Sequence, residues 1–276
     1  MKHVISLLVC LILLLDNNFI FAQTLDNSYL LCKYKVIIVS DSSNRQKIQE
    51  DVTGLEIGKT QSRYFSIYNE DQIKLRDEWK KNNGNKPIDP SIMLSNYRKR
   101  GTNTKIYKNY KSNQLTVFDN IAMETFTFEE ENPDFGWKIF PDTMIILKQI
   151  CQKATCQFRG RKYEAWFAQG INVSEGPWKF NGLPGLILKV IDSKQDYSFE
   201  AISIEKIDYP IAPKPTRATV LNRAVFNRTY KEFTQNPAAF ANATQQEEMA
   251  KNSNEPFVQR LMRAKFPYNP MELTDN

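Results

Sequence analysis

The stretch Gly176-Pro-Trp-Lys-Phe-Asn-Gly-Leu-Pro-Gly-Leu-Ile-Leu-Lys-Val-Ile-Asp192 most constrains the fold, because stiff turn chemistry runs directly into a strongly apolar strand-like run. Pro184 fixes its own φ and pushes Leu183 towards an extended conformation, while Gly182 and Gly185 reach backbone angles closed to other residues. A tight corner follows. Leu186 to Ile191 then carries a single lysine among apolar residues, the pattern of a strand covered on both faces or lining an apolar interior.

The chain opens with Lys2, an apolar run from Val4 to Leu15, and Ile20-Phe-Ala22 before Gln23, which predicts a secretory signal peptide over residues 1–22. Its apolar core of about a dozen residues falls short of the roughly 20 that a spanning helix needs. Cleavage removes Lys2 and Asp16 together, so the net charge of +6 is unchanged. It also removes His3, the only histidine. The exported chain is thereby excluded from Ser-His-Asp and Cys-His catalysis and from histidine metal ligation. No cofactor or metal is expected.

Cys32, Cys151 and Cys156 remain, an odd number for an oxidising compartment. On one continuous strand Cys151 and Cys156 would stand about 16 Å apart on opposite faces, beyond disulfide reach. Either a turn intervenes, or Cys32 is a partner, or the thiols are simply buried; the pairing stays open.

Residues 23–276 fit one β-rich domain with a helical C-terminal segment from about residue 216. Leu30, Cys32, Tyr34, Val36 and Ile38 alternate with Lys33 and Lys35, which predicts a half-buried opening strand. Strands are also predicted at Leu55–Ile57 and Arg63–Tyr68, then a helix from Asn69 to about Lys81 and a weaker one at Ser91–Lys99. Short β-like runs follow at Thr104–Tyr110, Leu115–Asp119, Met123–Phe128, Trp137–Phe140, Met144–Ile150, Ala154–Phe158 and Tyr163–Phe167. Leu186–Ile191 and Tyr197–Ile207, joined by Ser193–Asp196, read as a hairpin with a four-residue loop. Thr219–Phe233 and Glu255–Phe266 are helix-like, and Asn269–Leu273 is a docking strand or coil. The expected fold is mainly β with flanking helices: one curved antiparallel sheet wrapping towards a half-barrel, with helices over its concave face or mouth.

Arg159-Gly-Arg161 near Trp166, Trp178 and Phe180 is the candidate binding set, since guanidinium groups beside aromatic rings can clamp a carboxylate, phosphate or sugar face. The alternative reading is two arginines flanking a bulge and three aromatic core residues. Glu129, Glu130 and Glu131 with Asp134 form the richest acidic cluster, the one place where a carboxylate pair could support hydrolysis.

Gly182-Leu-Pro-Gly-Leu-Ile187 resembles the sextet of the GLPGLI family of exported proteins, found chiefly in Bacteroidetes. Cys151 to Ala154, Phe158 to Arg161, Tyr163, Ala165-Trp166, Gly176-Pro177, Lys179-Phe180 and the closing Tyr268 to Leu273 resemble that family's pattern in order and spacing. Asn172, where a proline is usual, and Lys148-Gln149, where Gly-Tyr is common, depart from it and bear on turn geometry. The resemblance implies export but carries no established activity. The leading expectation is therefore a non-enzymatic cell-envelope protein, periplasmic, outer-membrane-associated or secreted, with a concave surface for an apolar or amphipathic ligand. The alternatives are an accessory to an outer-membrane transport or secretion assembly, with a protein partner there, and a histidine-free hydrolase. Peripheral membrane contact fits the positive charge, and no nucleic-acid module is present.

Overall fold

The computed structural model describes residues 26–84, 86 and 101–274. Residues 1–22, read as a signal peptide, Ser91–Lys99, read as a weaker helix, and Arg98-Lys-Arg100 lie outside the described residues. No helix among those described is long and apolar enough to cross a membrane.

Twelve strands form one sheet. A first meander contains β1 (Asn27–Val39), β2 (Ile48–Gly58), β3 (Gln61–Ser66), β4 (Lys105–Asn109), β5 (Gln114–Ile121) and β6 (Glu124–Glu131). A second contains β7 (Lys138–Ile146), β8 (Gln149–Phe158), β9 (Arg161–Ala168), β10 (Leu186–Asp192) and β11 (Tyr197–Pro210). The two join where β1 pairs antiparallel with β11, from Asn27 opposite Pro210 to Ile38 opposite Tyr197. A two-residue strand, β12 (Thr219–Val220), adds one parallel pairing to β6, so the sheet is mixed in that pair alone.

This order forces curvature. β6 and β7 stand second and twelfth in the sheet, ten places apart. At about 4.8 Å per place a flat sheet would separate them by roughly 48 Å, whereas the link through residues 132–137 reaches about 25 Å at most. The sheet therefore rolls until its ends approach, but it does not close: β12 and β7 remain edges. Pro141 and a register break between Ile139 and Thr143 blunt β7 against further pairing. The expected curved, mainly β fold is what the chain adopts.

Helix α1 (Ile67–Asn83) follows β3, and α2 (Arg223–Gln235) follows β12 and packs on β5 and β6, with the Phe226 and Phe128 rings 5.2 Å apart. A 3-10 turn (Pro237–Phe240), α3 (Ala243–Lys251) and α4 (Pro256–Met262) complete the helices among the described residues.

Three local expectations need correction. Thr219 and Val220, read as the start of a helix, pair with β6, and the helix begins only at Arg223, where the Asn222 side chain caps it by accepting from the Val225 amide. Ile67 and Tyr68, read as the end of a strand, open α1, because the Ser66 hydroxyl caps the helix by accepting from the Asn69 amide at 3.2 Å. Met144–Ile150, read as one run, is broken by a two-residue hairpin turn at Leu147 and Lys148, where φ is 49° and 63°. Neither residue favours such angles, which glycine adopts freely. Lys148→Gly is accordingly expected to raise stability by about 1 kcal/mol, read as a higher urea midpoint at unchanged slope. A lower midpoint would contradict the assigned turn.

Candidate functional site

The connection from β9 to β10, residues 169–185, turns into the concavity rather than away from it. Gly176 permits this entry, since a Cβ there would stand 2.9 Å from Cβ of Ile187. The Pro177 carbonyl accepts from the Phe180 amide at 3.1 Å, and Trp178 takes φ 53° to close the turn. Phe180 is wholly buried, with ring centres of Tyr163, Phe135 and Trp178 at 5.0, 5.2 and 5.2 Å. Lys108 of β4 donates to Glu175 at 2.7 Å and to the Phe180 carbonyl at 2.9 Å, while Tyr34 of β1 donates to the Ile187 carbonyl at 2.8 Å. Gly182 (φ 87°), Leu183, Pro184 and Gly185 (φ 156°) then return the chain to Leu186 and Ile187 of β10. The motif thus plugs the interior of the rolled sheet.

Beside the plug lies a cluster of charges. Lys179 Nζ contacts Glu130 at 2.5 Å and Glu272 at 2.6 Å, and Arg159 contacts the same carboxylates at 2.7 and 2.6 Å. Arg223 of α2 lies 3.4 and 3.3 Å from them. Three cations therefore share two carboxylates. Burial pushes the Glu130 carboxyl up, but Lys179 and Arg159 outweigh that and hold it below the usual range. Arg161 forms a second node: it contacts Asp192 at 3.0 Å and Asp196 at 3.1 Å, and donates to Asn269 and to the Pro270 carbonyl. Tyr163 donates to the Met271 carbonyl at 2.8 Å, Tyr197 donates to the Asn269 carbonyl, and the Leu273 amide donates to the Arg159 carbonyl at 2.9 Å. Residues 269–273 are thereby strapped over one mouth of the sheet.

Under the strap is a cavity of about 260 Å³. Its sheet walls are Val36 and Ile38 of β1, Tyr64 of β3, Val117 and Asp119 of β5, Phe128 of β6, and Tyr197 and Phe199 of β11. Trp178 and Lys179 supply the plug side, Phe226 and Tyr230 of α2 another, and Tyr268 to Glu272 the lid. Asp119 accepts from the Thr104 hydroxyl at 2.6 Å and from the Asn120 amide at 2.7 Å. Burial pushes its carboxyl up to about 6, even though one face stays open to the cavity.

The sequence candidates divide in this geometry. Trp178 lines the cavity, Phe180 packs behind it, and Arg159 and Arg161 anchor the strap with their guanidinium groups taken up by protein carboxylates. Trp166 is separated from them. Tyr163 and Phe167 alternate inwards on β9, which sends Trp166 to the outer face, where it donates to Glu164 at 3.0 Å and lies 5.8 Å from Lys153 Nζ. Glu130 points inwards while Glu129 and Glu131 are exposed, so neighbouring carboxylates of that run face opposite ways. The disulfide left open by the cysteine count is not formed. Cys151 and Cys156 share β8 on opposite faces, Cys32 is on β1 with β11, β10 and β9 between them, and all three are free, buried thiols. Burial pushes Cys32 and Cys156 up to about 12, which leaves inert thiols.

Asp119, Glu272 and Tyr230 were not among the sequence candidates. A signal for Asp119 existed: Leu115, Val117, Asp119 and Ile121 are same-face positions of one strand, so its carboxylate had to point where the apolar side chains do.

Two solved structures, described as PNGF-II in C2 and P21 space groups, are 15% identical to this chain with TM-scores of 0.49 and 0.47. Each is matched over 74% of this chain, which spans only 32% and 33% of theirs, about a third of their length. No curated protein matches. Residues 99–189, which contain the plug, Arg159, Arg161, Cys151 and Cys156, match a Bacteroidetes-type family described as "Protein of unknown function (Porph_ging)".

Proposed function

We propose that this chain is an exported, GLPGLI-type protein of the cell envelope that binds a small, largely apolar molecule in the strapped cavity without chemically altering it. The observation that supports this most is the cavity itself. Aromatic rings wall it, at a volume just below the roughly 300–1,000 Å³ of ordinary ligand pockets. Two of the charged side chains around it are spent on structure: Lys179 and Glu272 hold each other and the strap. Export is supported by the signal-peptide pattern of residues 1–22, and the GLPGLI assignment by the corner at Gly182–Ile187 within the matched stretch.

Native mass spectrometry of the chain, exported through its own N-terminal segment and purified without detergent, tests this reading. A reproducible small adduct is expected. Ile38→Trp, which places a larger ring in the cavity from a partly exposed position, is expected to lose it while keeping a cooperative thermal transition. A bare mass in the parent protein, or an adduct retained by folded Ile38→Trp, would count against the cavity as a binding site.

A further inference from the structure

We infer that the cavity takes a small organic ammonium ion, its charge set against Asp119 and its carbon groups against the surrounding aromatic rings. This rests on the binding reading above and adds the ligand's chemical class.

Asp119 differs in its partners from the other inward carboxylates. Glu130, Glu175, Asp192, Asp196 and Glu272 each lie within 3.5 Å of a lysine or arginine. Asp119 receives only neutral donors, the Thr104 hydroxyl and the Asn120 amide, and among the described residues no cation forms an ion pair with it. Among the described residues no cation pairs with Asp51 either, but Ser66 and Thr102 enclose it with three hydrogen bonds and it does not line the cavity. Lys179 is the single cation among the described lining residues, and Glu130 and Glu272 already occupy its ammonium.

The rest of the wall suits a cation as well. Tyr64, Phe128, Trp178, Phe226 and Tyr230 present aromatic rings to the space, and ring faces attract ammonium groups most when water is excluded. The Asp119 charge helps burial to push the Tyr230 hydroxyl up to about 12, which places the carboxylate near that ring. A carboxylate that burial holds near 6 is stabilised in its charged form when a cation arrives. Neither an anionic nor a purely aliphatic ligand would compensate it.

Calorimetry with choline and its uncharged carbon isostere 3,3-dimethylbutan-1-ol provides the test, since the two share a shape and differ in charge. Choline is expected to bind at least tenfold more tightly. Asp119→Asn, which keeps an oxygen for Thr104, is expected to remove that preference and leave the isostere unchanged. Phe226→Leu, which keeps the carboxylate, is expected to weaken choline alone; it stands as the second variant should Asp119→Asn not fold. Equal affinities in the parent protein, or no binding of choline, would overturn the ammonium assignment. A mass-spectrometric adduct lost in Ile38→Trp would, in that event, leave the binding reading standing, so the two failures are distinguishable.

Discussion

Replacing Gly185 with alanine is expected to destabilise the protein by about 3–5 kcal/mol, combining left-handed backbone strain with a hard overlap. A Cβ there would lie 2.4 Å from the Ala168 carbonyl oxygen, 2.7 Å from its carbon and 3.0 Å from the Gln169 nitrogen. Those atoms are backbone and cannot swing aside. Ala168 is held in register by Leu186 on one side and Cys151 on the other, so relief requires opening two strand pairs. Gly182→Ala provides the contrast. Its φ of 87° also disfavours alanine, yet the nearest heavy atom is Trp137 Cδ1 at 3.8 Å, so only the conformational cost of about 1–2 kcal/mol remains. Denaturant unfolding of both variants measures the difference. Equal losses would mean that backbone angle, and not the close approach of β10 to β9, makes glycine necessary at position 185. Against a total stability of about 5–15 kcal/mol, that loss removes a large fraction of what holds the chain folded.

Glu272→Ala is expected to cost about 3–5 kcal/mol, the range for breaking a buried ion pair by removing one partner. The variant would leave Arg159, Lys179 and Arg223 around Glu130 alone, with Lys179 only 3% exposed. Excess positive charge would then have no outlet but solvent entry, and the strap would loosen because Glu272 is its charged anchor. Hydrogen exchange resolves this from a general loss of stability: amides of residues 269–273, including the Leu273 amide bonded to Arg159, are expected to exchange faster than the β1 and β11 amides. Lys251→Ala, which breaks an exposed pair with Glu247 at 2.7 Å, is expected to cost under about 0.5 kcal/mol. A Glu272→Ala cost as small as that, with strap protection intact, would show that the cluster does not hold the strap.

Much of the fold was legible because its signals are local. In β1 the alternation of Cys32, Tyr34 and Val36 with Lys33 and Lys35 is a period of two written in adjacent residues. The hairpin of β10 and β11 was readable with its Ser193–Asp196 loop, because two apolar runs flank a polar break of hairpin length. Where a local signal was missing, boundaries slipped. Leu147 and Lys148 carry none of the glycine or asparagine that usually marks a two-residue turn, and Ile67 and Tyr68 have side chains at home in a strand. The candidate site was read less completely. Clustering in sequence brought Arg159, Arg161 and Trp166 together on paper, but the turn and the pleat send them to the strap and to the outer face.

The amino-acid order by itself determined the strand periods, the corner at Gly182–Gly185 and the inward direction of Asp119, because each depends on backbone sterics and alternation over a few residues. Tertiary structure alone decided which charges meet and where space is left. Glu130 and Glu272 converge on Lys179 across 49 and 93 residues of chain, and Arg159 reaches Glu272 across 113. Such contacts exist only once ten sheet places have been rolled into a trough by a link of six residues. No local propensity encodes that curvature, which arises from summed strand twist, the β6 to β7 tether and the plug that fills the interior. The cavity is the volume that those three leave unfilled.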